Sequence, residues 1–432
     1  MPAQDAASPR ELWSWAFYDF ANSGYATVVL TTIYSAFFVG VVAGEAAGLA
    51  PGTATLLWTA AIAAANLLVL LSAPVLGAVA DYRACKKLFL GISSLACVIG
   101  TACLAIAGPG ELWLALPVLI LSAIAFATGE NFIAAFLPEI ANDSNMGRIS
   151  GYGWSLGYFG GLLTLGLCLV YINSAEARGQ TAAQFVPVTL VLTAVIFALA
   201  ALPTLLWLRE RARPRALPAG FSFLRAGFSE VASTLRRAAQ LTDLFRFLMC
   251  LTVYQAGVAT VIVVAAIYAQ EVFEFDATEM IVLIMVVNLT AAAGAFVFGF
   301  IQDRIGSVPA LAGGLIVWIA AIAVSWIAQD KATLWFAGNL IGLAMGSTQA
   351  GGRALVGQFT PAGRSGEFFG LWGLAARAAA IIGPLSYGLV NRLTEGNHQA
   401  ALLSTLGFFV VGLVLLLSVN ERRGIAARDA YQ

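Results

Sequence analysis

The sequence predicts an all-α membrane protein: twelve transmembrane helices in two pseudo-symmetric six-helix bundles. Three observations predict it. The 432 residues are 60% hydrophobic and only 11% charged, with mean hydropathy +0.86, outside the range of soluble globules. Apolar runs of about 20 residues recur along the whole chain, each able to cross a hydrocarbon core of roughly 30 Å, where only helices or closed barrels satisfy the backbone. Two short motifs also recur at equivalent places in the two halves.

The spans are expected at 12–39, 54–81, 87–108, 111–137, 149–172, 184–208, 242–270, 278–302, 308–328, 332–357, 366–391 and 398–420. Basic residues in the loops orient them. One set of loops and both termini hold seventeen, against three (Arg178, Lys331 and Arg392) on the opposite side. Both termini are therefore expected in the cytoplasm, with the chain a multi-pass protein of the inner membrane. The start, MPAQDAASPRELW, lacks the charged n-region and cleavage pattern of a signal peptide, so the first span is expected to persist.

One long polar connection, residues 209–241, separates an N-terminal bundle (1–208) from a C-terminal bundle (242–432). Within it Phe221, Leu224, Phe228, Val231 and Leu235 recur every three or four positions, with Arg225, Arg236 and Arg237 off the stripe. That pattern predicts an amphipathic helix on the inner membrane surface, a plain linker or a regulatory element.

The halves repeat each other. GAVADYR (Gly77 to Arg83) closes span two and GFIQDRIG (Gly299 to Gly306) closes span eight, with Asp81 and Asp303 222 residues apart. GYATVV in span one matches GVATVI in span seven at an offset of 233, which pairs Asn22 with Gln255 and Asp19 with Thr252. Two related six-helix halves are a transporter architecture with its site near mid-membrane.

The GxxxD motifs resemble the signature of the major facilitator superfamily. The first copy, GAVADYRACKK, has Ala84-Cys85 where a second glycine is usual, and GFIQDRIGS lacks the basic tail. WAFYDFANSGYATVV in span one, NFIAAFLPEIA closing span four and SGEFFGLWGLAARAAAIIGPL in span eleven resemble a narrower group. They are similar to the autophagy-related vacuolar amino-acid effluxers and their bacterial relatives. The resemblance implies efflux of amino acids, with Asp81 and Asp303 as inner-gate latches that favour the outward-facing state.

Four ionisable residues fall at bilayer depth: Asp19 in span one, Glu130 in span four, Arg353 in span ten and Arg377 in span eleven. Each costs about 2.5–3.5 kcal/mol to insert, so each needs a partner, water or a function. Both acids belong to the first half and both bases to the second. This matches a zwitterion, with Asp19 and Glu130 taking an ammonium or a proton and Arg353 or Arg377 a carboxylate. The competing reading is a salt bridge between halves that latches one conformation. Asn22, Asn131 and Gln255 join the candidate site, with Asn66, Asn288, Asn339 and Gln349 as further amides. Tyr18, Tyr25, Tyr34, Trp154, Tyr158, Tyr254 and Trp372 are read first as packing. At the gate, Asp81 and Asp303 are expected to cap helix N-termini or to pair with Arg83, Arg148, Arg304 or Arg364. The stripes Gly153-x3-Gly157-x3-Gly161 and Ala295-x3-Gly299 predict close helix contact.

Other classes find little support. Net charge is zero, so no basic field points to nucleic acid, and the five cysteines have no metal-ligand spacing. No phosphate loop, nucleophile–base pair or metal cluster points to an enzyme, and no cofactor is expected. The expected partners are a small-molecule substrate, the lipid bilayer and protons, with the chain a monomer. The sole histidine, His398, lies by an outer loop, which leaves any proton relay to Asp19 or Glu130. The alternatives carried forward are an exporter or flippase of an amphiphile (drug or lysolipid) and a non-transporting receptor or scaffold.

Overall fold

The computed structural model describes residues 7–44, 47–49, 53–214, 241–275, 277–395 and 397–431. Every expected span is present as a helix, with ends moved by a few residues. Span one is Pro9–Val42, two Thr53–Arg83, three Lys86–Leu104, four Leu112–Ile140, five Met146–Ala177 and six Ala182–Trp207. Span seven is Thr242–Phe273, eight Ala277–Ile305, nine Ser307–Ile327, ten Lys331–Phe359, eleven Ser365–Leu393 and twelve His398–Leu416. A tail helix, Glu421–Asp429, follows. The expected amphipathic helix of the long connection lies outside the described residues.

Local chemistry sets several ends. Ser8 caps span one with Pro9 in the first turn, and Thr181 with Gln184 forms a capping box at span six. Asp330 and Asn397 accept from Thr333 N–H (2.7 Å) and Ala400 N–H (3.0 Å) to start spans ten and twelve. Lipid-facing surfaces show the helical period. In span three Leu88, Ile92, Leu95 and Ile99 are all more than half exposed and lie on one stripe.

Among the described residues, eleven helices are long and apolar enough to cross a membrane by composition. Span ten, 29 residues long, is the more polar twelfth. Its second half, from Ala344 to Phe359, is buried almost continuously and includes Ser347, Thr348, Arg353 and Gln358. A helix enclosed by other helices need not offer an apolar face to lipid.

Span one departs from a plain helix. After Tyr25 it becomes a π-helix over Ala26–Thr31, breaks at Thr32 (φ −124°, ψ −84°), resumes over Ile33–Phe37 and widens again over Phe38–Val42. The hydroxyls of Thr31 and Thr32 donate to the Thr27 carbonyl at 2.9 and 2.6 Å, diverting an acceptor from the regular ladder.

The chain packs as two compact units. The first is Met1–Ser72, Ala84–Ala134 and Leu156–Arg211; the second is Ala73–Arg83, Ala135–Ser155 and Ala212–Gln432. In the first, span five lies tight on span one, where any side chain on Gly157 would meet Ser23 and Asp19, and one on Gly161 would meet Thr27. Trp15 donates from its indole nitrogen to the Ile133 carbonyl (2.7 Å), joining spans one and four. Tyr18 and Tyr25 are buried and bonded to Ser94 and Ser122 at 2.9 Å, so they pack rather than line an open surface. In the second unit the Ala295–Gly299 face of span eight meets span five at Gly151 and Gly147.

Candidate functional site

Spans one and four carry the polar cluster of the first unit. Asp19 and Asn22 are three residues apart and so share a helix face. The Tyr18 hydroxyl lies against Gly129, so spans one and four approach each other at the turns that carry Asp19 and Glu130. Both carboxylates are half-buried. Asn22 and Asn131 are 6% and 7% exposed, and neither carboxamide has a hydrogen-bond partner among the described residues. A buried amide left unpaired costs about 1–3 kcal/mol. Two of them beside two acids in an apolar helix pair form an arrangement suited to a polar ligand.

The second unit holds the other candidates. Gln255 of span seven donates to Gln349 of span ten. Arg353 is 3% exposed and is taken up by span five: Nε donates to Ser150 Oγ (3.1 Å) and Nη2 to the Ser150 carbonyl (2.9 Å). Its guanidinium also lies 5.4 Å from the Trp154 ring, and Ser150 Oγ donates to the Ala350 carbonyl at 2.7 Å. Arg353 thus ties span ten to span five. Arg377 is half-buried on span eleven.

The two GxxxD carboxylates cap helices. Asp81, 4% exposed at the end of span two, accepts from Gly366 N–H (3.0 Å) and Glu367 N–H (2.8 Å) in the first turn of span eleven. Asp303, at the end of span eight, accepts from Gly147 N–H (2.9 Å) and Arg148 N–H (3.2 Å) in the first turn of span five. An anion at a helix N-terminus satisfies orphan amides and meets the positive end of the dipole. The motif glycines permit the approach: a Cβ on Gly77 would collide with the Gly366 carbonyl, and one on Gly299 would press on the Gly147 carbonyl. Of the four arginines, Arg148 adds a longer ion pair to Asp303 at 3.9 Å, whereas Arg364 pairs with Glu367 at 3.6 Å. Arg83 and Arg304 are exposed.

Four further carboxylates at helix ends escaped the sequence reading. Glu210 accepts from Lys86 and Lys87 N–H (2.7 and 3.1 Å) and caps span three; Glu421 accepts from Ser307 and Val308 N–H (2.7 and 3.1 Å) and caps span nine. Glu11 holds Arg211 through both oxygens (2.6 and 2.8 Å), and Asp243 likewise holds Arg423 (2.6 and 2.7 Å). The Asp243 carboxylate pushes the Arg423 guanidinium above its ordinary range. The signal was present as LRER (208–211) after span six and NERR (420–423) after span twelve.

Helices that cross a membrane, related carboxylate caps in the two halves and polar groups inside the bundle define a membrane transporter of the major facilitator type. Solved structures share this fold. The human organic anion transporter MFSD10 (TETRAN) aligns with TM-score 0.74 over 96% of this chain and 100% of its own, at 15% identity. The Escherichia coli fucose:proton symporter FucP aligns with TM-score 0.69 over 95% of this chain and 98% of its own, at 17% identity. The chain belongs to the family described as vacuole effluxer Atg22 like, whose model matches residues 51–429. The MFS-type transporter YxiO of Bacillus subtilis (strain 168) is 28% identical over 94% of each chain. Autophagy-related protein 22 of Yarrowia lipolytica (strain CLIB 122 / E 150) is 24% identical over 71% of this chain and 56% of its own. The chain spans about half the length of the fungal relatives it matches.

Proposed function

We propose that the chain is a secondary transporter that works by alternating access and exports a small zwitterionic solute, an amino acid or close analogue, in exchange for protons. One observation carries this reading: half-buried Asp19 and Glu130 stand beside the buried carboxamides of Asn22 and Asn131, which have no partner among the described residues. In this reading the two acids take the ammonium group or a proton, and the two amides take the cargo's remaining polar atoms. A carboxylate on the cargo would fall to an arginine, Arg353 or Arg377. In the same reading Asp81 and Asp303 latch a cytoplasmic gate of a protein of the inner membrane, an orientation that the excess of basic residues in one set of loops supports. The description of the family as effluxers supports the outward direction.

The test is a thermal-shift screen of the purified full-length protein against amino acids, dipeptides, nucleosides and lysolipids, followed by flux in liposomes. Amino acids should raise Tm, and Asp19→Asn or Glu130→Gln should abolish the shift and flatten the pH dependence of flux. A shift with lysolipids alone would overturn the zwitterion reading. Unchanged proton dependence in both variants would remove the coupling.

A further inference from the structure

The tail helix, Glu421–Asp429, is fastened at both ends. At its start Glu421 caps span nine and Arg423 forks onto Asp243 of span seven. Gly424, on its inner side, sits against the Phe359 ring at the end of span ten. At its far end Arg428 reaches the loop after span four, where Nη1 and Nη2 donate to the two carboxylate oxygens of Asp143 at 2.7 and 3.0 Å. Arg428 Nη1 also donates to the Gln358 carbonyl at 2.8 Å, and the next residues bring the Tyr431 ring within 5.0 Å of Arg364. Asp143 belongs to the first half of the sequence, 285 residues from Arg428.

This contact continues into the gate. Gln358 Nε2 donates to the Asp143 carbonyl (3.2 Å) and its Oε1 accepts from Ser307 Oγ (2.6 Å). Ser307 Oγ in turn accepts from Gln302 Nε2 (2.8 Å). Gln302 adjoins Asp303, whose carboxylate caps Gly147 and Arg148. The segment Asp143–Arg148 is therefore held from two directions, by Arg428 at its acid and by Asp303 at its amides. Opening between spans five and eight must move this segment, and moving it breaks the Arg428–Asp143 fork.

We propose that the tail helix is a clasp on the gate. Docked, Arg428 adds its bidentate ion pair to the latched state; undocked, it leaves the start of span five to the Asp303 cap, the Arg353–Ser150 bonds and the Gln358 bond to the Asp143 carbonyl. Release of the tail thus sets how readily this end of the transporter opens, whatever the cargo. A group that removes the Asp143 charge or displaces the tail would act as an opener.

Hydrogen exchange of the full-length protein in lipid nanodiscs tests this, because exchange reports rare openings and needs no substrate. In Arg428→Ala, the amides of Gly147 and Arg148, which Arg428 does not touch, should exchange about fivefold faster, the factor expected for loss of an ion pair of about 1 kcal/mol. Asp143→Asn should give the same acceleration and keeps the test available if the arginine variant folds poorly. Faster exchange confined to the tail helix, with Gly147 and Arg148 unchanged in both variants, would overturn the proposal. Such a failure would leave the cargo reading untouched.

Discussion

Ala84 and Gly306 stand three residues after Asp81 and Asp303, and both take left-handed backbone conformations, φ +49° and +98°. The turn that carries the chain from the capping aspartate into the next span places a positive φ at this position in both halves. Glycine meets it freely at 306; alanine at 84 does so against a steric cost of about 1–2 kcal/mol. Ala84→Gly should therefore raise stability by about 0.5 kcal/mol after the added freedom of the unfolded chain is deducted, whereas Gly306→Ala should lose about 1 kcal/mol. Thermal unfolding in detergent checks both, and a stabilising Gly306→Ala would contradict the argument. The same scale separates the candidate residues: Asn22 and Asn131 are buried without a partner among the described residues, whereas Arg353 is already bonded to Ser150.

At the scale of elements, the small-residue stripe of span five is a packing surface. Gly157 and Gly161 bring its backbone against Asp19, Ser23 and Thr27, so the candidate acid lies at a helix contact where a side chain enters only if the Ser23 and Thr27 hydroxyls give way. Gly157→Leu should overpack this seam and cost about 1–3 kcal/mol, read as a lower Tm together with weakened cargo binding through the displaced Asp19. A variant with normal Tm and normal binding would show that the seam does not position the acid. Span one is also the element whose regularity fails, through the π-helical Ala26–Thr31 and the break at Thr32, directly beyond the candidate site. π-bulges of this kind recur at functional sites.

For the whole molecule, the repeat extends past the GxxxD motifs to a set of caps. Spans three, five, nine and eleven each begin on a carboxylate from another span's end: Glu210, Asp303, Glu421 and Asp81. Span ends that would carry orphan amides are thereby satisfied and locked to a neighbour. Glu210→Gln and Glu421→Gln should each lower stability by about 1 kcal/mol, and the double variant by their sum, because the two caps share no partner. Thermal denaturation of the three proteins decides it; a double variant no worse than either single one would mean that the caps act as one unit.

The sequence by itself determined the number and order of the spans, the two-fold repeat, the paired GxxxD aspartates and the family resemblance. Each of these is legible because bilayer thickness acts on local apolar length and because a repeat is visible as text. It left open whether Asp81 and Asp303 would cap helices or pair with arginines; the fold gives both carboxylates backbone amides, within hydrogen-bond reach once Gly77 and Gly299 let the helices close, and adds Arg148 to Asp303. It also could not assign Arg353 to Ser150, 203 residues away, or Arg428 to Asp143, 285 residues away. The partner of a charged group depends on which atoms tertiary packing brings within about 3 Å of it, and no local pattern in the chain encodes that meeting.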